Sequence, residues 1–391
     1  MALSRRGFLG AAGMLAGGLA LGAAEAPKKL RICIIGDTNL GGFGHDLHRA
    51  WETRPDVEIV GLSDPDAAGR AKRAAECGAA RTYADHVEML EKERPDLVTV
   101  CPRSPVRHRD YVLAAAAVGA HGFMEKPLAV DPAEADEMAA AVAAKGLKWS
   151  IAFNWGLVAE VRHALKLVGE GLIGDLMEIR ARGKEDHRSG GEDLVVLGPH
   201  LFDLMRRFAG DPRWCQATAL ADGRPAARAD IREATEPLGP VIGDTIQAVF
   251  GFDKGITGTF SSVRNKGKGG NRFGLDLYGT EGVLSIRMER KPYVPYIRVL
   301  RGPLWLTDAD DKGAAWEFLP GAPVTTLTNA SADRYAPLTS DLLAAIRDNR
   351  APAVSLEDGR AALEMVSAVF ASHLAGARVE LPLKERKHPL G

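Results

Sequence analysis

The chain has 391 residues, more than one hydrophobic core usually organises, so two domains are expected. Apolar residues make up 46% and charged residues 26%, a globular mix that argues against a disordered, fibrous or collagen-like chain. Fifty Lys and Arg stand against 51 Asp and Glu, a formal charge of −1, and that balance argues against a nucleic-acid binder.

The N-terminus reads as an export address. Ser4-Arg5-Arg6-Gly7-Phe8-Leu9 precedes a weakly apolar, glycine-interrupted run from Gly10 to Ala24, and Ala24-Glu25-Ala26 is a small-x-small cleavage pattern. Paired arginines before such a stretch resemble a twin-arginine signal, and the run would span a bilayer poorly. Residues 1–26 are therefore expected to be removed, leaving a mature chain that is periplasmic or otherwise exported, with no stable membrane insertion. The competing reading is a basic N-terminal helix that stays attached.

From Leu30, short apolar runs alternate with helical stretches. Strands are expected at Leu30–Ile35, Val57–Leu62, Leu97–Cys101, Gly122–Met124 and Lys148–Phe153. Asp131 followed by Pro132 and Glu134 starts a helix that Lys145-Gly146 stops, and a helix near Arg107 to Val118 ends at Gly119. Strands separated by helices of this length imply right-handed crossovers and a doubly wound parallel sheet over residues 27–153.

The ligand of such a sheet sits beyond the carboxyl ends of its strands. Immediately after the first strand comes a Gly-rich loop, Gly36 to Gly44, leading into an expected helix through Leu47 and Trp51. Its glycines let backbone N–H groups approach a pyrophosphate, and Gly36, Thr38, Asn39, Gly41 and Gly44 are candidate cofactor residues. The strict G-x-G-x-x-G is absent, because Thr38 replaces its second glycine. Asp64, ending the second strand, is placed to accept hydrogen bonds from an adenosine ribose, which favours NAD over NADP. The alternative role, capping the following helix, fits Asp66 better.

At Val98-Thr99-Val100-Cys101-Pro102, His108, and Gly119 through Glu125-Lys126-Pro127, the chain resembles the Gfo/Idh/MocA oxidoreductases. The segments Ala351 to Val354, Asp358-Gly359-Arg360 and Glu380 to Leu383 resemble that family's closing region. The resemblance implies an NAD(P)-binding domain followed by a largely antiparallel sheet domain, with a sugar or polyol as substrate. It also places Cys101, Pro102, His108, Glu125, Lys126 and Asn154 around the cofactor. Lys126, beside the nicotinamide position, becomes a candidate proton-handling group, because a desolvated ammonium has a lowered pKa.

The second half, residues 154–391, reads as an α+β domain. A helix is expected from about Val158 to Val168. Strands are expected at Met177–Arg182, Gln216–Leu220, Thr245–Phe252, Ile256–Val263, Gly274–Tyr278 and Val283–Met288. Helices near Leu338–Asp348 and Asp358–Ala375 should pack back on the domains. A mostly antiparallel open sheet with one apolar face would serve as a homo-oligomer interface. The four Cys (Cys33, Cys77, Cys101, Cys215) are read as core thiols.

The richest polar segment, Glu185 to Asp193, leads to Pro199 and His200. Pro199 suits a first helical turn, which would leave His200 at a helix N-terminus as a neutral imidazole able to accept a hydroxyl proton. Asp203 at i+3 is a candidate to orient that ring; its alternative is a pair with Arg207 on a solvated face. Dehydrogenases of the resembled family commonly carry an Asp four residues before this His, where the chain has Val196. Asp193 or Asp186 is the candidate substitute, and Asp186, His187 and Asp193 are candidate substrate ligands. No compact ligand spacing supports a metal site. The basic run Arg264 to Arg272 is read as a solvated turn, with a lid for an acidic sugar as the minority reading. The expected function is NAD-dependent oxidation or reduction of a sugar or polyol by Lys126 and His200. Its competitors are a redox-neutral glycoside-cleaving enzyme of the same family and a non-catalytic nucleotide-binding sensor.

Overall fold

The computed structural model describes residues 29–264, 272–288, 295–302, 315–323 and 331–391. The expected export segment, residues 1–26, and most of the basic run, residues 265–271, lie outside the described residues. The first domain is a six-stranded, all-parallel sheet in the order β3-β2-β1-β4-β5-β6. Its strands are β1 (Leu30–Ile35), β2 (Val57–Ser63), β3 (Thr82–Tyr83), β4 (Leu97–Val100), β5 (His121–Met124) and β6 (Trp149–Ile151). This is the doubly wound dinucleotide-binding order, with β1 at the centre. The near-continuous apolar runs arise because helices cover both faces: Ile32, Cys33, Ile34 and Ile35 of β1 and all four residues of β4 are buried.

The crossovers are α1 (Ala67–Cys77), α2 (His86–Glu93), α3 (His108–Ala117) and α4 (Pro132–Ala144). Helix starts follow their capping chemistry. Asp66, not Asp64, caps α1 by accepting from Gly69 N, and Asp131 caps α4 by accepting from Glu134 N. One expected element is different. No α-helix runs through Leu47 and Trp51; a 3-10 turn spans Gly44–Arg49, with His45 and Asp46 in the left-handed region at φ 50° and 56°. The loop is longer than the usual dinucleotide turn, so its backbone reverses once more before Leu47 and His48 reach the core.

The second domain follows α5 (Ala159–Gly169). Its large sheet, ordered β17-β16-β15-β14-β7-β13-β12-β8-β18 with β9 on β8, is antiparallel except where β13 lies parallel to β7. The strands are β7 (Leu176–Arg182), β8 (Trp214–Ala221), β9 (Arg224–Pro225), β12 (Thr245–Gly251), β13 (Thr257–Ser262), β14 (Gly274–Gly279), β15 (Gly282–Arg287), β16 (Tyr296–Arg301), β17 (Trp316–Phe318) and β18 (Val379–Glu380). A separate short hairpin joins β10 (Arg232–Glu233) to β11 (Pro240–Val241). Alternation in the strands buries Ile246, Ala248 and Phe250 of β12 and Phe260 of β13 against α6 (Gly191–Val196) and α7 (Gly198–Ala209).

The C-terminal helices pack back as expected. Helix α8 (Ser331–Arg347) lies against β5, β6 and the 44–49 turn, while α9 (Leu356–Ala375) contacts β8, α7, α4 and β6. These contacts tie the C-terminal helices to the first domain. Cys33, Cys101 and Cys215 are buried free thiols, as expected of core cysteines, whereas Cys77 at the end of α1 is only half-buried.

Candidate active site

The Gly-rich loop is built by close approach. A Cβ on Gly36 would fall 1.9 Å from the Phe43 ring, and one on Gly44 would fall 2.4 Å from Arg103 Cγ and 3.0 Å from Glu125 Cγ. Gly41, at φ +84°, faces the Arg103 side chain and backbone. Gly44 N donates to Cys101 O and Ser104 N to Leu40 O, so the loop after β4 is strapped to the loop after β1. Asp64 is buried at the end of β2. Thr38 Oγ1 donates to its Oδ2 at 2.6 Å, and Thr38 N and Asp66 N donate to Oδ1 at 3.2 and 2.9 Å. The residue that breaks the glycine motif thus holds the Asp64 carboxylate in place. Asn39 is exposed, its N–H on Asp37.

At the end of β5, Glu125 and Lys126 are both buried. His45, presented by the left-handed turn, donates from Nδ1 to Glu125 Oε1 at 2.6 Å, while Oε2 is a buried oxygen with no partner. Burial alone would raise the Glu125 pKa, but the charges of His45 and Lys126 hold it at about 2. His108 is fully buried and spans the gap between the two loops. Its Nε2 faces Pro102 O at 2.8 Å, and its Nδ1 faces Pro127 O and Leu128 O at 3.0 and 3.1 Å. Burial lowers its pKa. Placed as a cofactor residue by the resemblance, His108 in this geometry braces the backbone on either side of Lys126. Cys101 and Pro102 are buried at the end of β4, and Asn154 is half-buried at the first residue of the turn that leaves β6.

Lys126 Nζ donates to the carbonyl of Val196 at 3.1 Å. That carbonyl is available because the helix breaks between α6 and α7. His200 N donates to Leu197 O at 3.2 Å instead of to Val196, and Pro199 has no N–H to offer Val195. Val196 therefore serves through its backbone, where the resembled family has a carboxylate; its side chain is 1% exposed in the core. Burial lowers the Lys126 pKa, opposed by Glu125.

His200 is 8% exposed, packs edge-on to Phe153, and has a buried Nδ1 without a partner. Burial, reinforced by the Lys126 charge, pulls its pKa to about 3. The imidazole is neutral for those reasons; as expected, Pro199 lies in the first turn of α7 and His200 next to it at the N-terminal end of that helix.

Two expectations about carboxylates fail. Asp203 does not orient His200: its Oδ2 accepts from Arg207 Nε at 2.9 Å, and the pair is buried on the Asp203 side (1% exposed), not solvated. Helical spacing decides this, because an Arg at i+4 can reach back one turn to that carboxylate. Asp193 does not replace the missing dyad either. Its oxygens accept from Lys184 N, Glu185 N and Ser262 Oγ, so it fastens the polar segment to β13. Asp186 pairs with Arg188, and His187 is largely exposed. Among the described residues no cluster of His, Cys, Asp and Glu could hold a metal ion.

Sequence reasoning missed His45, Arg103, Arg188 and Glu236. His45 and Arg103 flank motifs that were read and Arg188 lies inside the polar segment 185–193, but Glu236 sits in a loop with no pattern to find. Arg103 Nη2 donates to one Glu236 oxygen, and Arg188 Nη1 donates to the other at 3.0 Å. Together, a glycine loop whose Gly36, Gly41 and Gly44 leave no room for a Cβ, a buried acid at the end of β2, and unpartnered Glu125 Oε2 and His200 Nδ1 fit a bound dinucleotide with a polar substrate beside it.

Comparison with known proteins agrees. The profile of an oxidoreductase family with an NAD-binding Rossmann fold matches residues 30–153, and its C-terminal alpha/beta domain matches residues 176–381. Levoglucosan dehydrogenase of Pseudarthrobacter phenanthrenivorans is 26% identical over 262 residues, covering 61% of this chain and 66% of that enzyme, a little under two thirds. D-apiose dehydrogenase of Paraburkholderia graminis is 25% identical over 377 residues, 93% of this chain and 92% of that one. A solved levoglucosan dehydrogenase in complex with NADH and levoglucosan superposes with a TM-score of 0.73 at 21% identity, covering 91% of this chain and all of that one, and shares the fold.

Proposed function

From the premise that the chain belongs to this oxidoreductase family with its NAD-binding Rossmann fold, we propose that it is an exported NAD-dependent dehydrogenase of a sugar or polyol. One observation carries the reading: Lys126, buried at the end of β5 with Nζ held on the Val196 carbonyl, lies within electrostatic reach of a neutral His200. Bound along the Gly36–Gly44 loop, NAD supplies the hydride acceptor.

The chain's own groups then divide the proton work. With a pKa of about 3, His200 is too weak a base to take a hydroxyl proton at neutral pH, so the proton work falls to Lys126, whose pKa burial lowers toward that of a base. In oxidation the substrate hydroxyl passes its proton to Lys126 Nζ as the carbon gives up hydride and a carbonyl forms. His200 Nδ1 accepts a hydrogen bond and fixes which hydroxyl faces Lys126. In reduction Lys126 returns the proton. The relatives named as sugar dehydrogenases support the substrate class, and Arg5-Arg6 before the apolar run supports export.

The test isolates the protein from its native cells and asks three things. The expected protein comes from the exported fraction with residues 1–26 removed, shows nicotinamide absorbance or binds added NADH, and changes cofactor redox state with a neutral sugar or polyol. Glycoside consumption without net cofactor change would overturn the dehydrogenase in favour of redox-neutral cleavage, and NADH binding without any turnover would favour a sensor.

A further inference from the structure

Arg103 of the first domain and Arg188 of the second converge on one carboxylate, that of Glu236, and each bonds a different oxygen. Asp186 steadies Arg188 from the other side, accepting from Arg188 Nε at 3.0 Å. Glu236 sits at the tip of the β10–β11 hairpin. The buried carboxylate of Glu192 on α6 holds that tip, accepting from Thr235 N at 2.9 Å and Glu236 N at 3.3 Å. The charges of Arg103, Glu236 and Arg188 all act on Lys126. Arg103 Cγ and Glu125 Cγ both flank Gly44, so Arg103 lies beside the chain neighbour of Lys126. Arg188 lies in the turn entering α6, whose last residue, Val196, receives Lys126.

We propose that Arg103, Glu236 and Arg188 form the specificity-determining wall of the site, selecting an uncharged substrate with adjacent hydroxyls over a sugar acid. The proposal rests on the sugar-dehydrogenase reading above. A carboxylate pinned between two guanidiniums presents acceptor and donor side by side. One hydroxyl of a vicinal diol can donate to Glu236 while its neighbour accepts from another of the five N–H groups of Arg103, of which one is spent on Glu236. With Asp186 on Arg188, the cluster holds two guanidiniums and two carboxylates, so no net positive charge is left over for a sugar acid. Bringing a second carboxylate beside Glu236 sets like charges together among side chains only 29%, 16% and 13% exposed, where water screens them poorly. Rejection by a built-in like charge is how binding sites exclude a close competitor.

The test uses the NADH- or NAD-loaded full chain and its Glu236→Gln variant. Binding of D-glucose, D-galactose and myo-inositol is compared with that of D-gluconate, D-galactonate and D-glucuronate by calorimetry, alongside turnover. Wild type is expected to bind at least one neutral compound and to bind its acid counterpart at least about tenfold more weakly. Glu236→Gln, keeping shape but not charge, is expected to weaken the neutral compound about tenfold and strengthen the acid by a similar factor, with NADH affinity unchanged. Should Glu236→Gln not fold, Arg188→Gln is measured instead and is expected to weaken the neutral compound without admitting the acid. An unchanged preference, equal losses for both classes, wild-type preference for acids, or no binding of any compound overturns the proposal. Switched binding preference without redox turnover in either protein upholds the wall and overturns the dehydrogenase reading.

Discussion

At the scale of single residues, burial decides which group can do chemistry. Lys126 and His200 were equal candidates from the sequence, since both are titratable and both lie in recognisable segments. In the structure the same desolvation lowers both pKa values, and the consequences are opposite. Lowering a lysine's pKa moves it toward use as a base, while a histidine brought to about 3 stops being one and remains a neutral hydrogen-bonding group. Lys126→Met is therefore expected to lower kcat by about 10²- to 10⁴-fold and to leave NADH binding intact. The oxidation rate of wild type should rise with pH through the Lys126 ionisation, and that limb should vanish in the variant's pH profile. Asp203→Asn separates structure from catalysis. It leaves Arg207 without its buried partner, so the thermal midpoint should fall by an amount matching about 1–3 kcal/mol while kcat stays within about threefold. A loss of kcat of the size seen for Lys126→Met would show that Asp203 acts on His200 after all.

At the scale of elements, the site depends on two places where regular structure is interrupted. The first is the Gly36–Arg49 segment, where tight contact and left-handed backbone turn the chain so that His45 reaches Glu125. The second is the junction of α6 and α7, where Pro199 and the i−3 bond of His200 leave the Val196 carbonyl for Lys126. Gly44→Ala probes the first. Its Cβ must displace Arg103, Glu125 or the Cys101 carbonyl, all within 3.2 Å, so NADH affinity should fall at least about tenfold in a fluorescence titration while the circular-dichroism spectrum stays native. The strands and the α4 start were legible because periodicity and capping are local signals: β1 falls at Leu30–Ile35 as expected and Asp131 caps α4. The helix expected through Leu47 failed because its course depends on what the loop packs against, which no local pattern encodes.

At the scale of the whole molecule, burial of neutral histidines ties stability to pH. His48, His86, His108, His121, His200 and His388 all have lowered pKa values, with burial as the first cause. Below pH 6.5 the unfolded chain binds protons that the folded chain refuses, so stability falls as pH drops from 6.5 toward the folded values. The upper limit is about 1.4 kcal/mol per pH unit for each fully refused proton. Glu125 works in the same direction at lower pH, its stabilisation being lost between about 4.5 and 2. The urea midpoint should be clearly lower at pH 5.5 than at pH 7.5, and His200→Asn should flatten that dependence. Equal midpoints would refute neutral burial of these rings. NADH at a hundredfold excess over its Kd should add about 2.7 kcal/mol at either pH.

Spacing and residue type along the chain were enough for the doubly wound first domain and the strands of the second, and the family resemblance carried by a few short motifs added the mostly antiparallel arrangement and Lys126 as a group to watch. Those features are local, written in periods, caps, glycines and a short motif. Specific pairings were not written there. Asp203 on Arg207, Asp193 on Ser262, Lys126 on the Val196 carbonyl and Glu236 between Arg103 and Arg188 each join groups whose partner is chosen by packing. Which atoms lose water, and therefore which of two candidate groups can move a proton, depends on the enclosure that both domains make together, and only the folded chain has one.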